Sequence, residues 1–152
     1  MAGKSDQYEA DILRLLLNAT AIANVADNAA TSPLTQLWVS LHTADPQAGA
    51  TEGSAQTTSE ATYTGYARVA VARTSGGWTI TTNGSGVTSA SPVASITFPV
   101  ATAGSNVITH FAVGSASTGA GRIFYAGNVS PNITVTSGVQ PILTTATVIT
   151  ED

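Results

Sequence analysis

Apolar residues at Tyr8, Ile12, Leu15, Leu16 and Ala19 recur at helical spacing, and Leu13 and Leu17 widen the stripe. Ser5 or Asp6 can cap the N-terminus, and Asp6 with Glu9 has the spacing of a capping box. Asp6, Glu9 and Asp11 fall in the first turns, where the helix dipole favours negative charge. A stripe this wide has to be buried, on the parent domain or on a neighbouring subunit. Residues 20–35, rich in Ala and Asn and interrupted by Pro33, read as a linker with a broken helix. The pattern then changes to period two: Leu37, Val39 and Leu41 form one face of a strand that runs through His42. Residues 44–64 carry Pro46, Gly49 and Gly53 among many Ser and Thr, and predict a long exposed loop.

From Tyr66 onward every periodic segment alternates as a strand does. Ala67, Val69 and Val71 alternate with Arg68 and Ala70, and Trp78 to Thr82 predicts the next strand. Asn83-Gly84 is a hairpin signal leading into Val87. Residues 93–98 form a strand bounded by Pro92 and Pro99. Val107, Thr109, Phe111 and Val113 define one face of a central strand. Residues 118–121 turn the chain into a strand at 122–126, and 133–135 and 142–149 complete the set. Roughly eight or nine short strands with turn signals between them predict an all-β fold. The expected architecture is a single β-sandwich, jelly-roll-like, preceded by an N-terminal α-helix. Residues 1–36 would form a helix and linker arm, and residues 37–152 the sandwich body with its 44–64 loop.

Charge sharpens this picture. Only 9% of the 152 residues are charged, against about a quarter in ordinary domains. Between Ala61 and Thr150 there is no Asp or Glu, and the only cations are Arg68, Arg73 and Arg122. Two explanations stand side by side: Ser and Thr hydroxyls supply the solubility, or part of the surface is buried in an assembly where charges cost desolvation energy. The formal net charge of −4 and pI near 4.9 argue against nucleic acid, which needs clustered Lys and Arg. With no Cys, disulfides and thiolate sites are excluded. The N-terminus predicts no signal peptide, and the apolar run 12–17 is too short to span a bilayer.

Candidate chemistry is sparse, and no catalytic, cofactor-binding or metal residue is assigned. A glycosidase needs two carboxylates across a cleft, whereas Asp45, Glu52 and Glu60 share one loop. The Gly-Ser stretches at 84–86 and 114–116 do not match a nucleophile elbow. His42 and His110 lie on different strands without a further ligand at zinc-type spacing, so each reads as a strand histidine, hydrogen-bonded or facing solvent. Trp38, Trp78, Tyr63 and Tyr66 read as packing aromatics before a sugar platform. Arg68 and Arg73 can pair with the acidic loop within one subunit or with an acidic partner across an interface. The expectation is a non-enzymatic structural protein without cofactors.

The stretches Leu41-His42-Thr43-Ala44-Asp45-Pro46 and Gly65-Tyr66-Ala67-Arg68, with the helix around Tyr8 to Leu13, resemble a small structural family of tailed bacteriophages. The stretches 96–99, 107–114 and 119–127 are similar too, so the resemblance spans nearly the whole chain. Members resemble head decoration (cement) proteins or are labelled tail-fibre proteins. The resemblance implies a virion component made in the host bacterial cytoplasm. Its first implied role is on the capsid exterior, binding the major capsid protein as a homo-oligomer, dimer or trimer, with no nucleic acid and no membrane. The alternative is a tail or fibre component that contributes to host attachment. The candidate interface comprises Tyr8, Ile12, Leu13, Leu16 and Leu17 on the helix, Asp45, Glu52 and Glu60 on the loop, and Arg68, Arg73 and Arg122.

Overall fold

The computed structural model describes residues 6–22, 33–48 and 55–151, with the side chains of Asp6, Gln7, Tyr8 and Glu151 left out. Chain order is α1 (Asp6–Asn18), β1 (Gln36–His42), β2 (Val69–Ala72), β3 (Trp78–Thr82), β4 (Thr88–Pro92), β5 (Ile96–Thr97), β6 (Asn106–Gly114), β7 (Ile123–Val135), β8 (Ile142–Leu143) and β9 (Ile149–Glu151). The fold is all-β and sandwich-like, with one N-terminal helix. Its strands form sheets in the orders β2-β1-β6-β7, β3-β4-β9 and β5-β8.

Contacts gather into two compact units, one of Met1–Gln36, Val71–Ser95 and Thr144–Asp152, the other of Leu37–Ala70 and Ile96–Leu143. Residues 71–95 and 144–152 group with the N-terminal segment in the first of these units. The helix is therefore part of a packed unit. Periodicity along the chain cannot reveal this, because the strands that complete the unit lie far downstream.

In the first unit, α1 packs against β3, β4 and β9. The side it buries is Ala10, Leu13 and Leu17, with Ile12, Leu15 and Leu16 only partly covered. The buried stripe is thus centred on Leu13 and Leu17, one position round from the Tyr8–Ile12–Leu16 line. Across the sheet, register sets Trp78 beside Pro92, and Ile80 beside Ala90 and Ile149, on one face. Trp78, Ala90 and Ile149 are buried. The other face carries Thr79 with Ser91, and Thr81 with Ser89 and Thr150. The Asn83 side chain shapes the β3–β4 turn by accepting from the N–H of Ser85 and of Val87.

The end of α1 accounts for Arg73. Its Nε and Nη2 donate to the Leu16 and Leu15 carbonyls, and Nη1 donates to the Leu34 carbonyl at 3.2 Å. The Leu15 and Leu16 carbonyls lie in the last turn of α1, where carbonyls lack intrahelical partners, and the helix has no basic residue there of its own. Arg73 supplies that cation from outside the helix. Ala19 closes the helix in the left-handed region at φ 53°, and the Thr20 N–H donates to the Arg14 carbonyl at 3.1 Å.

In the second unit β1 and β6 pair in antiparallel fashion, Val39 opposite Val113 and Leu41 opposite Phe111 on the apolar face. Leu37, Val39 and Leu41 are buried as the alternation predicts, and Ser40 and His42 on the other face are buried too. β7 is one long strand where two were expected; four of its residues, 129–132, lie between the pairs His110–Asn128 and Ile108–Ile133. Gly127 lies under the Phe111 ring, which an added Cβ would meet at 2.9 Å. The expected strand 93–98 is reduced to Ile96–Thr97, paired with β8. Phe98, Ile96, Ala101, Ile108, Val135 and Leu143 are also buried.

Candidate functional site

A polar cluster covers the second face of β1. Residues 55–60 lie over it, contrary to the expectation of an exposed 44–64 loop: Gln56, Ala61 and Tyr63 are buried. Backbone bonds fix the segment, Gln56 N–H to the Gly121 carbonyl (2.8 Å), Ala61 N–H to Leu41 (2.8 Å) and Thr43 N–H to Ser59 (2.9 Å). It is bound because a strand with Ser40 and His42 on one face offers hydrogen-bonding groups that have to be satisfied once they leave water.

Gln56 is fully buried, and its side chain fills a slot floored by two glycines. A Cβ on Gly114 would lie 2.2 Å from Gln56 Cδ, and one on Gly121 would lie 2.2 Å from Gln56 Oε1. The amide donates to the Trp38 carbonyl at 3.1 Å and to Ser40 Oγ at 3.4 Å. Its oxygen accepts from the Ala116 N–H at 3.1 Å and from Arg68 Nη1 at 3.4 Å.

Arg68 sits at the centre, buried despite its charge. Nε and Nη2 hold both oxygens of Glu60 at 2.6 and 2.8 Å. Nη1 donates to the Ala116 carbonyl at 2.9 Å and Nη2 to the Gly119 carbonyl at 2.8 Å. With Gln56, all five guanidinium donors have an acceptor. The Glu60 carboxylate is the main reason the Arg68 pKa is raised, outweighing burial, which lowers it. Glu60 also accepts from the Tyr66 hydroxyl at 2.9 Å, and that oxygen accepts from the Leu41 N–H at 3.0 Å. Burial pushes the Tyr66 phenol well above its usual range. Its ring stacks on Phe98 and meets Tyr63 edge-on, with centroids 6.4 and 5.3 Å apart.

His42 closes the network. Nδ1 lies 2.8 Å from the Thr58 carbonyl and Nε2 lies 2.9 Å from Ser40 Oγ. Burial lowers its pKa below the ordinary histidine value. The arrangement is that of a structural clasp, with each polar group spent on another. Among the described residues no group of three or more His, Cys, Asp or Glu gathers to hold a metal. No helix among them is long and apolar enough to cross a membrane.

Residues 4–150 match the family described as Podophage GP4 fiber I protein gp80. The chain belongs to that family. It is accordingly a member of a phage virion structural family, as the sequence resemblance implied. No curated protein matches the chain.

Within this fibre-family member the candidate interface residues are dispersed. Leu13 and Leu17 are buried in the first unit, while Ile12 and Leu16 are partly exposed. Arg68 and Glu60 are bound to each other, the within-subunit alternative, and Arg73 caps α1. Asp45 is exposed in a turn, its carboxylate accepting from the Gln47 N–H at 2.9 Å. Arg122 is exposed beside β7. Glu52 and the Tyr8 side chain lie outside the described residues. Trp78 and Tyr63, weighed as sugar-stacking aromatics, are buried. The residue that sequence reasoning missed is Gln56. Its only signal would have been the pair of downstream glycines, 114 and 121, that make room for it.

Proposed function

We propose that the chain is a non-enzymatic, homo-oligomeric component of a phage tail fibre that contributes to attachment at the host surface. The observation that carries this reading is the family match across residues 4–150, whose description is a fibre protein. The distribution of charge supports it. Arg68 and Arg73, two of the three cations in the β-rich stretch, are committed to contacts within the chain. An electrostatic clamp on an acidic capsid subunit then has only Arg122 to draw on in that stretch. A hydroxyl-rich, nearly neutral surface suits contacts made by shape and hydrogen bonds. In this reading neighbouring copies and tail proteins replace the major capsid protein as partners, and the protein lies on the outside of the virion.

Copy number tests it. Quantitative mass spectrometry of purified virions should find a few to a few dozen copies per particle, and purified protein should slow phage adsorption to host cells. Hundreds of copies per particle would return the assignment to head decoration, the role first favoured from the sequence.

A further inference from the structure

The segment 55–60 is held to β1 almost wholly by polar groups. Thr57, Thr58 and Ser59 are exposed, Ala55 and Glu60 are partly covered, and Gln56 is the one fully buried side chain. A segment anchored without apolar side chains opens at a free energy well below that of global unfolding. One of its clasps is a titratable ring on the sheet beneath.

The partners of His42 define its neutral form. A carbonyl oxygen faces Nδ1, so Nδ1 carries the hydrogen, and Nε2 accepts from the Ser40 hydroxyl. Ser40 Oγ in turn accepts from Gln56. A proton on Nε2 makes both ring nitrogens donors. The Ser40 hydroxyl then has to turn toward the Ala112 carbonyl, 3.5 Å away. The resulting cation has no exposed surface. Glu60, from the segment itself, is the anion that faces it, but both Glu60 oxygens already bind Arg68. Arg68 and, across the β1–β6 register, His110 oppose a further positive charge. Tyr66 is neutral and already donates to Glu60.

We propose that residues 55–60 form an acid-released strap: protonation of His42 frees the strap from β1 while the β1–β6 ladder stays paired, uncovering the Gly114–Gly121 slot and Arg68. The direction follows from linkage. The folded pKa is lowered by burial, and the opened strap returns His42 to an ordinary value. Closure is therefore fully favoured above the ordinary histidine pKa and is lost as pH falls below it toward the folded value. Taking about 6.5 for the open state, the opening constant rises up to about thirtyfold by pH 5.

Residue-resolved amide hydrogen exchange on the full chain between pH 7.5 and 5, converted to opening constants, tests this. The amides of Thr43, Gln56, Ala61 and Ala116 report the strap, and those of β6 report the ladder. The strap constants should rise, by up to about thirtyfold, with the ladder unchanged. His42→Asn, which keeps a donor for Thr58 and cannot be charged, should abolish the rise, and His110→Asn should retain it. His42→Gln serves if the Asn variant does not fold, and the strap–ladder contrast in the parent protein decides if neither does. Strap and ladder opening together, no rise at all, or a rise that survives at a neutral position 42 would each overturn the proposal.

Discussion

Replacing Arg68 by Met removes five donors at once from a site where water cannot take their place. The ion pair is desolvated, with 3% of the Arg68 side chain and 15% of the Glu60 side chain exposed. Glu60 would keep the Tyr66 hydroxyl as a partner, while the Ala116 and Gly119 carbonyls and Gln56 Oε1 would each lose a donor. Breaking one side of a buried pair costs about 3–5 kcal/mol, most of it from the charge left behind. The double variant Arg68→Met with Glu60→Gln should therefore cost less than the sum of the two single changes. A neutral amide at position 60 can still accept from Tyr66 and leaves no stranded carboxylate, so the coupling should be about 1.5 kcal/mol or more. Urea unfolding at pH 7, with the four proteins compared at equal slope, measures this cycle. A cost below about 1 kcal/mol for Arg68→Met, or additivity within about 0.5 kcal/mol, would refute the view that the clasp is a coupled, desolvated unit.

Other consequences are as direct. Gly114→Ala drives a Cβ into the Gln56 amide and to 2.6 Å from the Arg122 carbonyl, so urea unfolding should show a loss of about 1–3 kcal/mol or more. Ala19→Gly, at the positive-φ helix end, should stabilise by up to about 1 kcal/mol, read as a higher urea midpoint. Leu13→Ala, in a fully buried position, should cost about 2–5 kcal/mol; a change below 0.5 would show that α1 does not share the core of the first unit. Stability should also fall as pH drops from 7 to 5, because burial lowers the His42 pKa and the unfolded chain then binds the extra proton. Denaturation curves of His42→Asn should lose that part of the slope.

Period-two alternation carried most of the fold. Leu37, Val39 and Leu41 had to face a core, and the Asn83 turn had to join two strands, because local chemistry leaves few other conformations. The helix was legible for the same reason, though not which stripe it buries: Tyr8, Ile12 and Leu16 lie on a line nearly as apolar as Leu13 and Leu17, and only the sheet of β3, β4 and β9 selects between them. Ser40 and His42 illustrate the limit of alternation. The pattern leaves open whether His42 is hydrogen-bonded or faces solvent, and it is the strap that buries both residues, since a polar cover can pay for itself in hydrogen bonds where an apolar one would show in the sequence.

By itself the sequence determined the all-β class, the N-terminal helix and the scarcity of titratable groups, all of which depend on residue type and near-neighbour spacing. Tertiary structure decided what the few charges do. Arg68 and Arg73 look alike along the chain, five residues apart in a charge-poor stretch. One closes a clasp with Glu60 and the other caps a helix more than fifty residues upstream, because each fills the unsatisfied acceptors that folding brings to it.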